Sequence, residues 1–247
     1  MALGGKTMFL LSVFTSILMW AYLNYPGPPL SFELREWKRT GKFFSHSDFK
    51  IFFRDMNGTG RPEDVAFCVH GFPTASYDFA KVWEGLNGKF GRVIASDMLG
   101  LGFSDKPYGH NYTISEQASI IERLLKQLAV EEVHILSHDL GDTVAQELLR
   151  RFLYRQKSSS KGAQYLKIKS LCLMNGVHMI YGPADPVNPP VFVDRYRELL
   201  PQATITVLDE RIGHYPHWED PMAVLMAYFG FLEKVSPLTQ PQATGET

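Results

Sequence analysis

The chain has 247 residues, 45% of them hydrophobic and 21% charged, which suits one domain with a sizeable core and excludes disordered and collagen-like classes. Lys and Arg total 25 against 26 Asp and Glu, a formal charge of -1, so no surplus of cations exists to neutralise a phosphate backbone and nucleic-acid binding is set aside. The two cysteines, Cys68 and Cys172, sit in apolar runs that read as buried strands, without disulfide or metal-ligand spacing, and neither a metal nor a cofactor is expected.

In chain order, residues 1–29 come first as a hydrophobic segment closed by a Pro-rich break. Met8 to Leu23 carries no charge, is preceded by Lys6 and ends before Asn24, Tyr25 and Pro26-Gly27-Pro28-Pro29. A span needs about 20 apolar residues, so Tyr25 has to help complete it. A cleaved secretory signal is the rival reading, but no small-x-small site follows, and Trp20, Tyr22 and Tyr25 resemble an interfacial belt. A retained single-pass signal anchor, touching membrane through residues 8–25, is therefore expected. Lys6 competes with Arg35, Lys38, Arg39 and Lys42 across the segment, which leaves orientation open. The sequons at Asn57 and Asn111 accept glycans only if the domain is lumenal.

Residues 30–235 alternate β-branched and aromatic runs with helical patterns, the signature of an α/β sheet. Strands are predicted at Phe49–Phe53, Val65–Val69, Arg92–Ser96, Val133–Leu136, Ile168–Leu173, Met179–Tyr181 and Thr204–Leu208. Helices are predicted from Ile114 to Leu128, from Asp142 to about Tyr154 and from Pro221 to about Lys234. Ser158–Gly162 reads as a solvated loop and residues 236–247 as a disordered tail.

The chemistry concentrates at Ser137-His138-Asp139-Leu140-Gly141. A buried strand runs into a tight turn with small residues on both sides, Ser137 and Gly141, and then into a helix. That is the pattern of a nucleophile elbow with Asp139 at its apex. A carboxylate there attacks carbon to give an alkyl ester that water then cleaves. The alternative is a plain N-cap aspartate. Val69-His70-Gly71-Phe72-Pro73 follows another buried strand, and its glycine lets the N–H groups of Phe72 and Leu140 form an oxyanion hole. The Ser96–Pro107 loop carries glycines but no phosphate-cradle pattern. Asp185, in Gly182-Pro183-Ala184-Asp185-Pro186, and His214, in Gly213-His214-Tyr215-Pro216-His217, then supply an orienting acid and a base in the order nucleophile, acid, histidine. His217 reads as the approach to a helix. Ser137 fails as a nucleophile because Ile135 stands where a small residue is required.

On His70–Pro73, Ser96–Pro107, Ser137–Gly141, Gly182–Pro186 and Gly213–Pro221 the chain resembles the epoxide hydrolase and haloalkane dehalogenase branch of the α/β-hydrolases. The resemblance implies an α/β-hydrolase fold, a mostly parallel sheet with helices on both faces. It also implies an aspartyl-ester mechanism acting on an apolar small molecule, an epoxide or a lipid-like ester. Phe43-Phe44, His70–Leu86, Ser115–Glu122 and Ser170–Gly176 resemble a membrane-associated member of that branch, which implies the endoplasmic reticulum membrane. Two departures are visible. Leu140 stands where the branch has a tryptophan whose ring N–H binds halide, which disfavours dehalogenation. The helical cap is largely absent, deleted near residues 175–178, where only Asn175 to His178 separate two strands. Strands joined so briefly are expected not to be parallel neighbours, so the position of Asp185 is in question, and Asn175 offers a hydrogen bond but no charge. A catalytically inactive, shortened variant acting as a membrane-tethered binding or regulatory protein is the alternative function.

Overall fold

A computed structural model describes residues 4–25, 27–158, 166–174, 178–199 and 204–235. The chain divides into two units, Met1–Glu36 and Trp37–Thr247. In the first, helix α1 (Gly5–Leu23) has 19 residues, a mean hydropathy of 1.4 and no buried residue, and is long and apolar enough to cross a membrane. At about 1.5 Å per residue it extends for about 28 Å, close to the thickness of a hydrocarbon core.

The second unit begins within a short helix, α2 (Phe32–Thr40), and holds eight strands. They are β1 (Lys42–His46), β2 (Phe49–Asn57), β3 (Arg61–Val69), β4 (Phe90–Ser96), β5 (Glu132–His138), β6 (Lys167–Met174), β7 (His178–Tyr181) and β8 (Thr204–Val207). Their order in the sheet is β1-β2-β4-β3-β5-β6-β7-β8. The first two are antiparallel, to each other and to β4, and the remaining pairings are parallel. The crossovers pass through α3 (Trp83–Lys89), α4 (Ile114–Gln127), α5 (Leu140–Lys157) and α6 (Val191–Leu199). Beyond β8 come α7 (Pro216–Glu219) and α8 (Pro221–Val235).

Alternation along the strands sends apolar side chains to both faces. Ile51, Phe53, Phe67, Val69, Ile94, Ile135 and Leu171 meet Ile120, Leu124, Val144 and Leu148 of α4 and α5. Phe52, Ala66, Cys68, Val93, Leu136 and Cys172 meet Trp83, Leu86, Leu225 and Tyr228 of α3 and α8. Thr113 caps α4, its side chain accepting from the Glu116 amide, and the helix then buries Ala118, Ile121 and Leu125 at helical spacing. Both cysteines are free and buried in this core.

One expectation is corrected. β6 and β7 are parallel neighbours despite their short link, because they are staggered. Only Leu173 and Met179 are paired, and β7 runs on past the end of β6. A long crossover is needed where the chain must return the full length of a strand, whereas in this register β7 begins only two residues behind the level at which β6 ends. Asn175 and the link lie outside the described residues, as do most of the predicted Ser158–Gly162 loop and the 236–247 tail. The strand before Asp185 is thus short and displaced, and it is covered by Val193 and Tyr196 of α6.

Candidate active site

β5 delivers the chain to Asp139, whose backbone turns at φ 55° and ψ -123° before Leu140 opens α5. A non-glycine residue at positive φ is strained and persists where its surroundings hold it. They do so through close packing. A methyl on Gly141 would stand 2.4 Å from the Val69 carbonyl and 2.5 Å from that of His70, so α5 presses directly on the end of β3. Ser137, fully buried, donates its hydroxyl to Asp142 Oδ1 at 2.6 Å and ties the strand to the first turn of the helix.

The loop after β3 meets Asp139 from the other side. Phe72 donates its N–H to Asp139 Oδ1 at 2.8 Å, and a methyl on Gly71 would lie 2.5 Å from the Asp139 Cβ. Leu140 N–H belongs to the first turn of α5, whose amides have no partner within the helix. The Leu140 side chain packs into the core on the α4 and α5 face. Phe72-Pro73 is a cis peptide bond. His70 is buried and takes the Met98 N–H on Nε2 at 2.9 Å, so its other nitrogen, 2.7 Å from the Gly71 carbonyl, carries the proton. Burial lowers its pKa and keeps it neutral, which makes it a strut between loops. Asp97 does similar work in the Ser96–Pro107 loop, accepting from the amides of Ser76 and Phe103 at 2.7 and 2.6 Å. Gly102, at φ +53°, leaves room for that carboxylate.

Two backbone turns lock the acid to the histidine. A methyl on Gly182 would stand 2.4 Å from the Gly213 carbonyl, and Ala184 N–H donates to the Ile212 carbonyl at 2.8 Å. Asp185, 5% exposed, therefore reaches His214 Nδ1 at 3.0 Å. Burial alone would raise the Asp185 pKa. Hydrogen bonds from His214, the Asn188 side chain and the amides of Val187 and Asn188 outweigh it, and the carboxyl lies below its ordinary value. A carboxylate on Nδ1 fixes the proton there and leaves Nε2 as a lone pair. That nitrogen stands 3.7 Å from Asp139 Oδ2, close to it but beyond hydrogen-bond reach. Asp139, Asp185, His214 and the Phe72 amide are thus brought together, with His70, Gly71, Ser137 and Gly141 buried behind them, while Pro73 lies exposed in the loop beside Phe72. A separate cleft lined by Arg61, Asp64, Lys89, Phe90 and His134 lies at the opposite, amino-terminal ends of the strands.

Several neighbours escaped the sequence reading. Glu219 accepts from the amides of Gly213 and Tyr215 at 2.6 and 3.1 Å, bracketing His214. The only available signal was a carboxylate five residues beyond the histidine. Asp142 is pushed up to about 8, chiefly by burial, with the nearby Asp139 adding and Ser137 opposing. Asp78, His138 and His217, dispersed in sequence, converge behind the site with one ligand-capable atom each within 4.8 Å of one another.

The model of a family described as alpha/beta hydrolase fold matches residues 67–160. The mesoderm-specific transcript homolog protein of Bos taurus is 37% identical over 315 positions, covering 87% of this chain and 92% of that protein. Because the alignment is longer than the 247-residue chain, the relative carries a long stretch with no counterpart here. Haloalkane dehalogenase 2 of Mycobacterium bovis is 32% identical over 104 residues, 42% of this chain and 35% of that protein. Among solved structures, a membrane phospholipase A described as a bacterial virulence factor superposes with a TM-score of 0.62 at 15% identity, covering 93% of this chain and 99% of the other, a likeness of fold. The sheet, the elbow and these relatives lead to one conclusion: the chain belongs to the alpha/beta hydrolase fold family.

Proposed function

We propose that this hydrolase acts through an aspartyl ester, with Asp139 as nucleophile, His214 as base and Asp185 as the acid that orients it. The observation that carries the reading is the division of labour at Asp139: Oδ1 rests on the Phe72 amide while Oδ2 faces His214 Nε2. Oδ2 attacks an electrophilic carbon, and Oδ1 becomes the ester carbonyl. His214 then takes a proton from water as that water attacks Asp139 Cγ. The developing oxyanion is held by Phe72 N–H and Leu140 N–H, His214 returns its proton to the departing alkoxide so that the alcohol leaves, and loss of the remaining water proton to solvent restores the carboxylate.

An apolar epoxide suits this chemistry best, since a carboxylate opening it gives an alkyl ester directly. A lipid-like ester attacked at its acyl carbon would have to pass through an anhydride. We assign the proton taken up by the epoxide oxygen to Tyr215, whose ring stands 5.1 Å from that of His214, edge-on. Leu140 supplies no ring N–H for a halide, which disfavours dehalogenation. α1 supports a single-pass membrane anchor; the endoplasmic reticulum follows only from the resemblance to a membrane-associated relative, and Asn57 and Asn111 are both exposed, as a lumenal glycoprotein would require.

A second reading is favoured by one feature. The long stretch present in the relative and missing here, together with the staggered β6-β7 junction, supports a form without a cap. An uncovered site loses electrostatic strength to water, and a tethered, inactive binding or regulatory protein would result. Turnover of a panel of epoxides and esters by the full chain in detergent, beside Asp139→Asn, separates the two. The enzyme reading predicts hydrolysis that the variant loses, whereas no turnover of any substrate supports the inactive one.

A further inference from the structure

We propose that Asp78, His138 and His217 form a buried site for a divalent transition-metal ion of the zinc type, a centre that ties the active-site loops together from behind. The three offer one ligand atom each within 4.8 Å of one another. All are buried, His217 completely and His138 to 1% exposure. Two imidazoles and a carboxylate are a donor set suited to zinc and its neighbours, and a fourth position remains for water.

The hydrogen bonding points the same way. His138 Nε2 lies 2.8 Å from the His214 carbonyl, which only accepts, so Nε2 carries the proton and Nδ1 is a bare lone pair. A ligating histidine commonly donates its other N–H to a backbone carbonyl in this way. That Nδ1 has no partner among the described residues, and neither nitrogen of His217 has one. An unsatisfied buried polar atom costs about 1–3 kcal/mol, and two of these three, Nδ1 of His138 and one nitrogen of His217, are lone pairs that call for a partner able to accept them. Phe79 stacks on His217 at 5.5 Å and 24°, which fixes the ring plane, and Thr74 donates its hydroxyl to Asp78, which steadies the carboxylate. Ligands on zinc at about 2.1 Å stand about 3.4 Å apart, so side-chain rotations of about 1 Å or less close the set.

The location gives the centre its consequence. Asp78 follows the Phe72 loop, His138 immediately precedes Asp139, and His217 lies one turn after His214. An ion there joins the three segments that carry the oxyanion amide, the nucleophile and the base without touching reacting atoms. It acts by positioning.

The test is metal content and coordination of the tag-free full chain in detergent, and it does not depend on activity. After exposure to Zn2+ and dialysis, the protein should retain about one equivalent, and Co2+ in its place should give the visible bands of a four-coordinate site. Asp78→Asn and His217→Gln should each lower retention at least tenfold and abolish the bands, and X-ray absorption of the zinc protein should show two imidazole ligands. X-ray absorption needs no variant, so it decides the matter even if the substitutions impair folding. Retention below about a tenth of an equivalent, a shell with fewer than two imidazoles, or equal loading of the folded variants would overturn the proposal.

Discussion

Replacing Gly71 by alanine isolates the contact on which the proposed chemistry turns. Gly71 lies outside the left-handed region, so the backbone accepts alanine and the entire effect comes from one methyl group. That methyl would stand 2.5 Å from Asp139 Cβ and 2.7 Å from Oδ1, where ordinary contact begins at 3.4 Å. The shortfall is relieved by turning the carboxyl off the Phe72 amide or by moving the loop away, and either separates donor from acceptor. An off-rotamer turn costs about 1 kcal/mol, and overpacking costs about 1–3 kcal/mol, so the fold should survive. Losing one oxyanion donor costs about 2.7–4 kcal/mol in the transition state, which lowers kcat by about 10²–10³. Steady-state kinetics on a substrate of the wild-type enzyme, with thermal unfolding as the control for folding, reads both quantities. A variant with wild-type kcat and an unchanged melting temperature would refute the argument that Phe72 N–H and Asp139 act as a unit.

Other consequences follow from the same geometry. His214→Gln removes the base for the second step only, so the alkyl ester on Asp139 should accumulate, seen as a mass increase on its peptide; a variant that turns over without accumulation would contradict the assignment. Glu219→Ala removes both acceptors that hold the amides flanking His214 and should lower stability by about 2 kcal/mol in chemical denaturation and kcat by about tenfold or more. Asp142 titrates near 8 when folded and near 3.9 when unfolded. Below about pH 4 both states are protonated; from there to about 8 only the unfolded chain ionises, so stability falls as pH rises and then levels. Asp142→Asn should flatten that slope, and melting temperatures of the two proteins that run parallel from pH 4 to 8 would argue against a neutral buried carboxyl.

The strand centres were legible because each buried strand is a short apolar run, and burial on both faces writes that pattern directly into β3, β5 and β6. β1 was missed, since only Phe44 of its five residues is buried, and so were α3 and α6, whose few turns bury too little for a helical period to stand out. The elbow was legible because it is local: Ser137, Asp139 and Gly141 carry the small-acid-small spacing in five residues. What joins distant segments was not. The 3.0 Å contact between Asp185 and His214 depends on Gly182 packing against the Gly213 carbonyl, and the grip of Glu219 on the histidine loop depends on the short α7. The β6-β7 junction misled for a different reason. The length rule for parallel crossovers assumes strands paired along their length, and a stagger that leaves one pair escapes it.

Whether the Asp139 carboxyl itself bonds to the reacting molecule is decided by oxygen exchange. In a single turnover in 18O water, attack of water at Cγ leaves one heavy oxygen in the side chain. The peptide containing Asp139 should be heavier by one label, and the corresponding peptide of Asp139→Asn should carry none. Product that carries the heavy oxygen while the Asp139 peptide stays light would contradict it.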